Sequence, residues 1–442
     1  MASYSPVFVF LFLGFFILSV SNAQQPSSSS RPSGLVFTVS RDPSTLQYLT
    51  KISIGKVPVN VVVDLGRESS WIYSSRGCAS ASISGAMTAQ SNSLKNGEWV
   101  SGPNVTARGI SFGCEASAGA LRGLAKGARG IIGLGRSGVS LTSQFASAFR
   151  FSRKFSMELS SANEGTLYFG DGPYTNQQFR QPLAYTPLLT NSYFSTDYFV
   201  DVNYIEIGNS NVTYNKGLLS INKKNGMGGT KFSTLVPYTT METSIYKAFT
   251  SLYIQRAKAM GISAVSPVAP FSACFNASTI ESRPDGLVVP TIVLGLRSDA
   301  YWQMTGPANS LKLVKDNVYC LAFVDGGSKP KTSIVIGGHQ MQFNIMEFDI
   351  PRSRLGFSPP VQFSELSILL LGLFSLSTQL TFFNCNLLQL CILKADRLFE
   401  IIYKLLPQNK HVESHPDESG DLNQILTSRM QGKKKKRTCS GS

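Results

Sequence analysis

The sequence is poor in acidic residues and in histidine: 26 Asp and Glu stand against 41 Lys and Arg, with 3 His and a net charge of +15. Residues 360–442 contain 10 basic and 7 acidic residues, which leaves +12 for the rest of the chain. Such a surface attracts acidic partners, for which acidic cell-wall polysaccharide is one candidate; a benefit for solubility alone is the other interpretation. Since no nucleic-acid-binding motif occurs, we expect no nucleic acid partner. We also expect no cofactor and no metal.

The N-terminus has the features of a secretory signal peptide. An apolar run extends from Val7 to Leu18, and Ser21-Asn22-Ala23 places small residues before a cleavage site after residue 23. Secretion would permit disulfides among the four cysteines before residue 359, Cys78, Cys114, Cys274 and Cys320. It would also make acceptors of three Asn-x-Ser/Thr sequons, at Asn104, Asn211 and Asn276.

The C-terminal tail, residues 360–442, contains a segment without charge at 366–393, followed near the end by a basic run from Lys433 to Arg437. A membrane span would make the chain a single-pass type I protein, because about 20 apolar residues cross a bilayer. The polar residues Gln379, Asn384 and Gln389 within the segment favour the alternative, a divergent tail or gene-model artefact without a folded role.

Short apolar runs with strand alternation, such as Leu35 to Val39, are separated by many of the 38 glycines and 21 prolines. This pattern predicts an all-β fold with few helices. The clearest helix is predicted at residues 243–260, where the apolar positions follow helical spacing.

A single carboxylate is the most informative feature. Val61-Val62-Val63 leads into Asp64-Leu65-Gly66, which predicts a buried strand that delivers Asp64 into a turn. The hydrophobic strand ending in Gly that follows, Gly130 to Gly135, has a second copy at Ile334 to Gly338. The turn that precedes this second copy contains Ser233 instead of an acid.

These motifs, with Phe112-Gly113-Cys114, Phe169-Gly170-Asp171 and Arg354 to Phe357, resemble the pepsin-like aspartic peptidases from about residue 37 to residue 358. The resemblance implies two pseudo-twofold β lobes, placed here at 24–190 and 191–359. The family has a catalytic Asp at each of two equivalent positions, which in this sequence contain Asp64 and Ser233. In that family, two carboxylates share a proton and assist both water attack and amide departure. Since a serine cannot do this, and each acid or base contributes about 10²–10⁴ in rate, we expect little turnover. Leu235, where the family has glycine, is expected to crowd the turn.

The flap hairpin of the family is expected to be reduced. No Tyr lies between Tyr73 and Tyr168, and residues 80–95 are rich in Ser and Ala without strand alternation.

The segments 143–149, 236–249 and 268–275 are similar to a plant non-catalytic branch that contains xylanase inhibitors, extracellular dermal glycoproteins and basic 7S globulins. This resemblance implies a Cys274–Cys320 bridge, whereas Cys78 and Cys114 either pair or have lost their partners. It implies binding and inhibition of secreted microbial glycoside hydrolases, with Arg283 as a candidate in the inhibitory loop because guanidinium suits carboxylates.

Two other hypotheses remain. Residual aspartic endopeptidase activity would need another carboxylate to replace Ser233, and Asp201 and Glu206 are near only in sequence. A truncated, inactive family member is the third interpretation, favoured by the short first lobe and the unrelated tail.

Overall fold

β-Strands are the most abundant element of the chain that the computed structural model describes, which comprises residues 31–55, 57–95, 98–160, 164–172, 183–283, 286–304 and 306–358. The strands of the first half are β1 (Gly34–Arg41), β2 (Tyr48–Ile54), β3 (Val57–Asp64), β4 (Trp71–Tyr73), β5 (Ser82–Lys95), β6 (Glu98–Glu115), β7 (Gly130–Gly133), β8 (Lys154–Glu158), β9 (Gly165–Gly170) and β10 (Ala184–Leu189). The all-β prediction is confirmed.

The strands of the second half are β11 (Phe199–Val200), β12 (Val202–Ile207), β13 (Ser210–Asn211), β14 (Thr230–Phe232), β15 (Thr239–Met241), β16 (Ala264–Val265), β17 (Cys274–Asn276), β18 (Ser282–Arg283), β19 (Gly286–Leu287), β20 (Ile292–Leu296), β21 (Tyr301–Met304), β22 (Leu311–Lys315), β23 (Val318–Leu321), β24 (Phe323–Asp325), β25 (Ile334–Ile336), β26 (Ile345–Asp349) and β27 (Arg354–Phe357). The α-helices are α1 (Leu141–Phe149), α2 (Thr243–Ala259) and α3 (Pro307–Ser310). Short 3-10 helices lie at Ala118–Leu121, Lys216–Leu219 and Ala277–Thr279.

Each half contains the same three-strand unit. In the first, β3 runs parallel to β7 with Asp64 opposite Gly133, and β4 runs antiparallel to β7. In the second, β14 runs parallel to β25 and β15 runs antiparallel to it. The repeated order read from the sequence, a turn residue followed by a hydrophobic strand ending in Gly, is thus a repeat in space.

A six-stranded antiparallel sheet joins the halves in the order β1-β9-β8-β26-β27-β10. The central pair, β8 with β26, places Phe155 opposite Phe348, and their rings stack at 4.8 Å. β10, assigned to the first lobe by the predicted boundary, pairs with β27 and β11 of the second half. The division at residues 190 and 191 stays a prediction.

Helix α2 follows the predicted segment within one residue. Its N-terminus is capped by the Glu242 carboxylate, which accepts from the Ser244 and Ile245 N–H groups. Its buried face includes Ile245, Phe249 and Ala257, as the spacing indicated.

The structure corrects the interpretation of residues 80–95 as a stretch without strand character. Residues 82–95 form β5, one arm of a long antiparallel hairpin with β6, and β5 also pairs with β1 and β2. The pairing with β6 shifts register between Gly85 and Met87 and again between Gln90 and Asn92. Each shift interrupts the period-2 pattern, because a bulge changes which face a side chain occupies. The reduction of the flap stays a prediction.

The predicted signal peptide at 1–23 and the tail at 360–442 lie outside the described residues, as does the candidate span at 366–393. Within the described ranges, no helix is both long enough and apolar enough to cross a membrane.

Candidate functional site at the junction of the two repeats

Asp64 lies at the end of β3, where its side chain is largely buried with 8% of its surface exposed. Its Oδ1 accepts from the Gly66 N–H at 3.0 Å. Burial raises the pKa of the Asp64 carboxyl above its ordinary value and the neighbouring Asp197 raises it further, whereas the Gly66 N–H and Arg67 act in the opposite direction. The buried carboxyl therefore holds its proton more tightly than a free aspartate.

Ser233 occupies the equivalent turn of the second repeat. Its N–H donates to the Ile336 carbonyl at 2.9 Å, and its Oγ accepts from the Leu235 N–H at 3.2 Å. The hydroxyl thus makes the local hydrogen bond that the Asp64 carboxylate makes to Gly66. The register of the second turn is intact, but the side chain at this position, that of Ser233, is not an ionisable acid.

Leu235 does not crowd this turn, contrary to our expectation. Its backbone does not adopt a positive φ, so the position does not require glycine. Its side chain packs against an apolar cluster of the first repeat that includes Val62, Trp71 and Ile131. The leucine therefore adds a contact between the two halves.

Thr234 connects the two turns directly. Its Oγ1 accepts from the Leu65 N–H at 3.1 Å and donates to the Val63 carbonyl at 2.6 Å. The corresponding residue of the first turn, Leu65, is fully buried and offers no hydroxyl in return. One side chain therefore makes both of these hydrogen bonds across the junction.

A second carboxylate does lie at the site, and it belongs to Asp197. A Cβ placed on Gly66 would lie 2.3 Å from Asp197 Oδ1 and 3.8 Å from Asp64 Oδ1, so both carboxylates border the same small space. Glycine is needed at position 66 because any side chain there would clash with Asp197. Its backbone conformation does not require glycine, since its φ is not positive.

Lys231 neutralises Asp197 with an ion pair of 2.7 Å between Nζ and Oδ2. Lys231 is the middle residue of β14 and precedes Ser233 by two residues. Sequence reasoning missed this pair because Asp197 belongs to no motif and comes from the segment before β11. The acids considered instead lie elsewhere: Asp201 pairs with Arg297 at 2.7 Å, and Glu206 lies in β12 opposite Asn211.

Comparison with known proteins agrees with this geometry. The family descriptions "Xylanase inhibitor N-terminal" and "Xylanase inhibitor C-terminal" match residues 73–171 and 197–359. The chain is 38% identical over 414 residues to "Probable aspartic proteinase GIP2" of Nicotiana benthamiana, covering 78% of this chain and 93% of that protein. It is 38% identical over 269 residues to gamma conglutin 1 of Prunus dulcis, covering 59% of this chain and 60% of that protein.

The chain belongs to the xylanase-inhibitor-like family of pepsin-like proteins in plants. The solved structure titled "Crystal structure of edgp" superimposes with a TM-score of 0.69 at 37% identity, covering 76% of this chain and 97% of that one. The structure of conglutin gamma, a basic 7S globulin from lupine seeds, gives a TM-score of 0.61 at 26% identity, covering 74% and 95%. These matches confirm the bilobal pepsin-like fold and the plant branch expected from the motifs.

Arg283 lies within the region that matches the xylanase-inhibitor C-terminal description. It ends β18, in a short hairpin with β19. Its side chain is 55% exposed and forms an ion pair with Glu281 at 2.8 Å between Nε and Oε1. This hairpin is a two-stranded sheet separate from the sheet that contains β3 and Asp64, and the role of Arg283 in binding stays a prediction.

Two disulfides occur within the part of the chain that the structure describes. Cys274 and Cys320 are bonded, as the resemblance implied, and face each other across β17 and β23. Cys78 and Cys114 also pair, which decides between the alternatives left open by the sequence.

The sequon asparagines differ in environment. Asn104 and Asn211 are exposed, whereas Asn276 is half-buried and its side-chain oxygen accepts from the Ser278 N–H at 3.0 Å and from Asn317 Nδ2 at 2.8 Å. Their glycosylation stays a prediction. Across the described ranges, no group of three or more His, Cys, Asp or Glu side chains is placed to hold a metal ion.

Proposed function

We propose that this protein is a secreted, non-catalytic member of its family that binds and inhibits microbial cell-wall glycoside hydrolases of the xylanase or xyloglucanase class, in plant defence. The observation that carries the proposal is the pair of equivalent turns, one with buried Asp64 and the other with Ser233. An aspartic peptidase needs two carboxylates that share a proton. The Ser233 hydroxyl cannot supply the second one.

The surface around Arg283 is the candidate for contact with a hydrolase. Its partner Glu281 is 60% exposed, and water screens an exposed ion pair, so the guanidinium can exchange that carboxylate for another at little cost. Glycoside hydrolases present a pair of Asp or Glu carboxyl groups at the scissile bond. A planar guanidinium suits a carboxylate because it donates two parallel hydrogen bonds.

The test is inhibition of purified fungal xylanases and xyloglucan-active endoglucanases by the secreted protein. We expect Arg283→Ala to weaken inhibition by about 30-fold, the effect of a residue that contributes about 2 kcal/mol at an interface. Arg297→Ala is the control, since Arg297 is similarly exposed at 57% and forms an ion pair with a carboxylate, that of half-buried Asp201 at 2.7 Å. Absence of inhibition across the panel, or equal loss in both variants, contradicts the proposal.

The alternative function is residual aspartic endopeptidase activity, and the specific observation that favours it is the position of Asp197 beside Asp64. A peptide substrate assay at acidic pH, with and without pepstatin, separates the two functions. Pepstatin-sensitive cleavage that is lost in both Asp64→Asn and Asp197→Asn would establish a surrogate pair. We expect no cleavage, because the ion pair with Lys231 occupies Asp197.

The third interpretation, a truncated family member without activity of its own, is addressed by the same preparation. A secreted chain that unfolds cooperatively and inhibits a hydrolase excludes it. A chain that is made but never secreted in folded form supports it.

A further inference from the structure

A polar groove of about 560 Å³ lies on the outer face of the first half, between β1, β2 and β5. It forms because β1 changes partners: residues 34–36 pair with β5, whereas residues 39–41 pair with β2. β2 and β5 pair only at Ser53 and Ile54, so the three strands diverge around an open space. The Thr50 hydroxyl closes part of its floor by donating to the Thr38 carbonyl at 2.7 Å.

The groove is lined mainly by hydroxyl and amide side chains, among them Thr38, Ser53, Thr88 and Gln90. Lys51 and Glu164 contribute one charge of each sign. The ring of Phe37 is almost fully buried and offers little stacking surface. Such a lining suits a neutral occupant rich in hydroxyl groups, held by several weak hydrogen bonds rather than by an aromatic platform.

Asn104, the asparagine of an Asn-Val-Thr sequon, is itself a lining residue of this groove. It lies in β6 directly opposite Gln90, and Gln90 lies opposite Val36 of β1. The sequon threonine, Thr106, lies opposite Thr88, and their hydroxyls are 3.1 Å apart. Asn104 and Thr106 are both exposed, so a sugar attached to Asn104 would begin at the rim of the groove.

We propose that an N-linked glycan on Asn104 places its inner sugars in this groove, which makes the groove a binding site for the protein's own carbohydrate. Covalent attachment supplies a high effective concentration, so weak hydrogen bonds are sufficient to hold a tethered sugar. A free oligosaccharide would have to offset its lost translational freedom with the same weak contacts. This favours the attached glycan as the occupant.

The proposal requires the secretory route that the proposed function assumes, but it is independent of hydrolase binding. Asn211 provides an internal reference, since it is an exposed sequon asparagine on β13, in a different four-stranded sheet. Asn211 does not line the groove between β1, β2 and β5, so a glycan attached there serves as the reference.

The test is the rate at which peptide N-glycosidase releases each glycan from the full-length protein secreted by a glycosylating host, followed by glycopeptide mass spectrometry. On the folded protein we expect release from Asn104 to be about tenfold slower than from Asn211, a ratio that corresponds to about 1.4 kcal/mol of contact free energy. After denaturation, the two rates should be equal.

Thr38→Trp places a bulky indole in the groove and leaves the sequon intact, and Gln90→Ala removes a hydrogen-bonding side chain beside Asn104. Both variants should bring release at Asn104 close to the rate at Asn211. Equal rates in the unmodified folded protein, an unoccupied Asn104, or slow release that persists in both variants would overturn the proposal. Hydrolase inhibition measured on the same samples shows separately whether the proposed function holds.

Discussion

At the scale of single residues, Asp64 imposes a cost on the fold at neutral pH. Its pKa in the folded protein is raised by burial, so the stability it contributes is present below the pKa of the unfolded chain and is lost as pH rises through the folded value. Asp64→Asn keeps the oxygen that accepts from Gly66 and removes the charge. We expect this variant to gain stability relative to the unmodified protein between about pH 4 and pH 7, as measured by urea unfolding at each pH.

Asp197→Asn provides the contrast for that measurement. Asp197 forms an ion pair with Lys231, so its loss should destabilise the protein near neutral pH by about 1 kcal/mol. If both variants changed stability in the same direction at about pH 7, the assignment of Asp64 as the costly carboxyl would be wrong.

Thr234 makes the opposite contribution, because its hydroxyl satisfies a buried N–H and a buried carbonyl of the other repeat. Thr234→Val preserves shape but leaves the Leu65 N–H and the Val63 carbonyl without this partner. We expect a loss of about 2–3 kcal/mol in the free energy of unfolding, measured by chemical denaturation. The exposed Thr190→Val should change it by less than about 0.5 kcal/mol; similar losses in both variants would count against the bridging role.

At the scale of elements, the six-stranded sheet that joins the halves encloses charge. Lys154 and Glu347 are buried and paired at 3.4 Å between Nζ and Oε2, Lys154 also contacts Asp171 at 2.9 Å, and Tyr185 donates to Glu347 at 2.9 Å. Removing one member of a buried pair leaves an uncompensated charge. Lys154→Met should therefore cost about 3–5 kcal/mol, measured by urea unfolding.

The double variant Lys154→Met with Glu347→Gln tests this explanation. It removes both charges while the Gln oxygen still accepts from Tyr185, so we expect it to recover more than half of the loss. Additive losses would show that the lysine stabilises the sheet mainly through Asp171 or through packing.

The elements also explain how much could be predicted from the sequence. The two repeated units and helix α2 follow from apolar runs and helical spacing, which are local signals. The Asp197–Lys231 pair joins positions 34 residues apart that become neighbours only when β11 pairs with β14. The β5–β6 hairpin was missed because its bulges interrupt the alternation that marks a strand.

At the scale of the whole molecule, the excess of basic residues predicts retention on acidic wall polysaccharide. The net charge is +15, and +12 of it precedes the tail. Long-range attraction between exposed charges weakens as the Debye length falls from about 10 Å at 0.1 M salt to about 3 Å at 1 M. We expect the secreted protein to bind immobilised polygalacturonate at about 0.05 M salt and to elute below about 0.5 M, as measured by a salt gradient.

A neutral polysaccharide column is the control, since it offers the same hydroxyl groups without carboxylates. Retention on both matrices, or retention that persists at about 1 M salt, would show that recognition does not depend on net charge. Passage through both columns would leave solubility as the role of the basic surface.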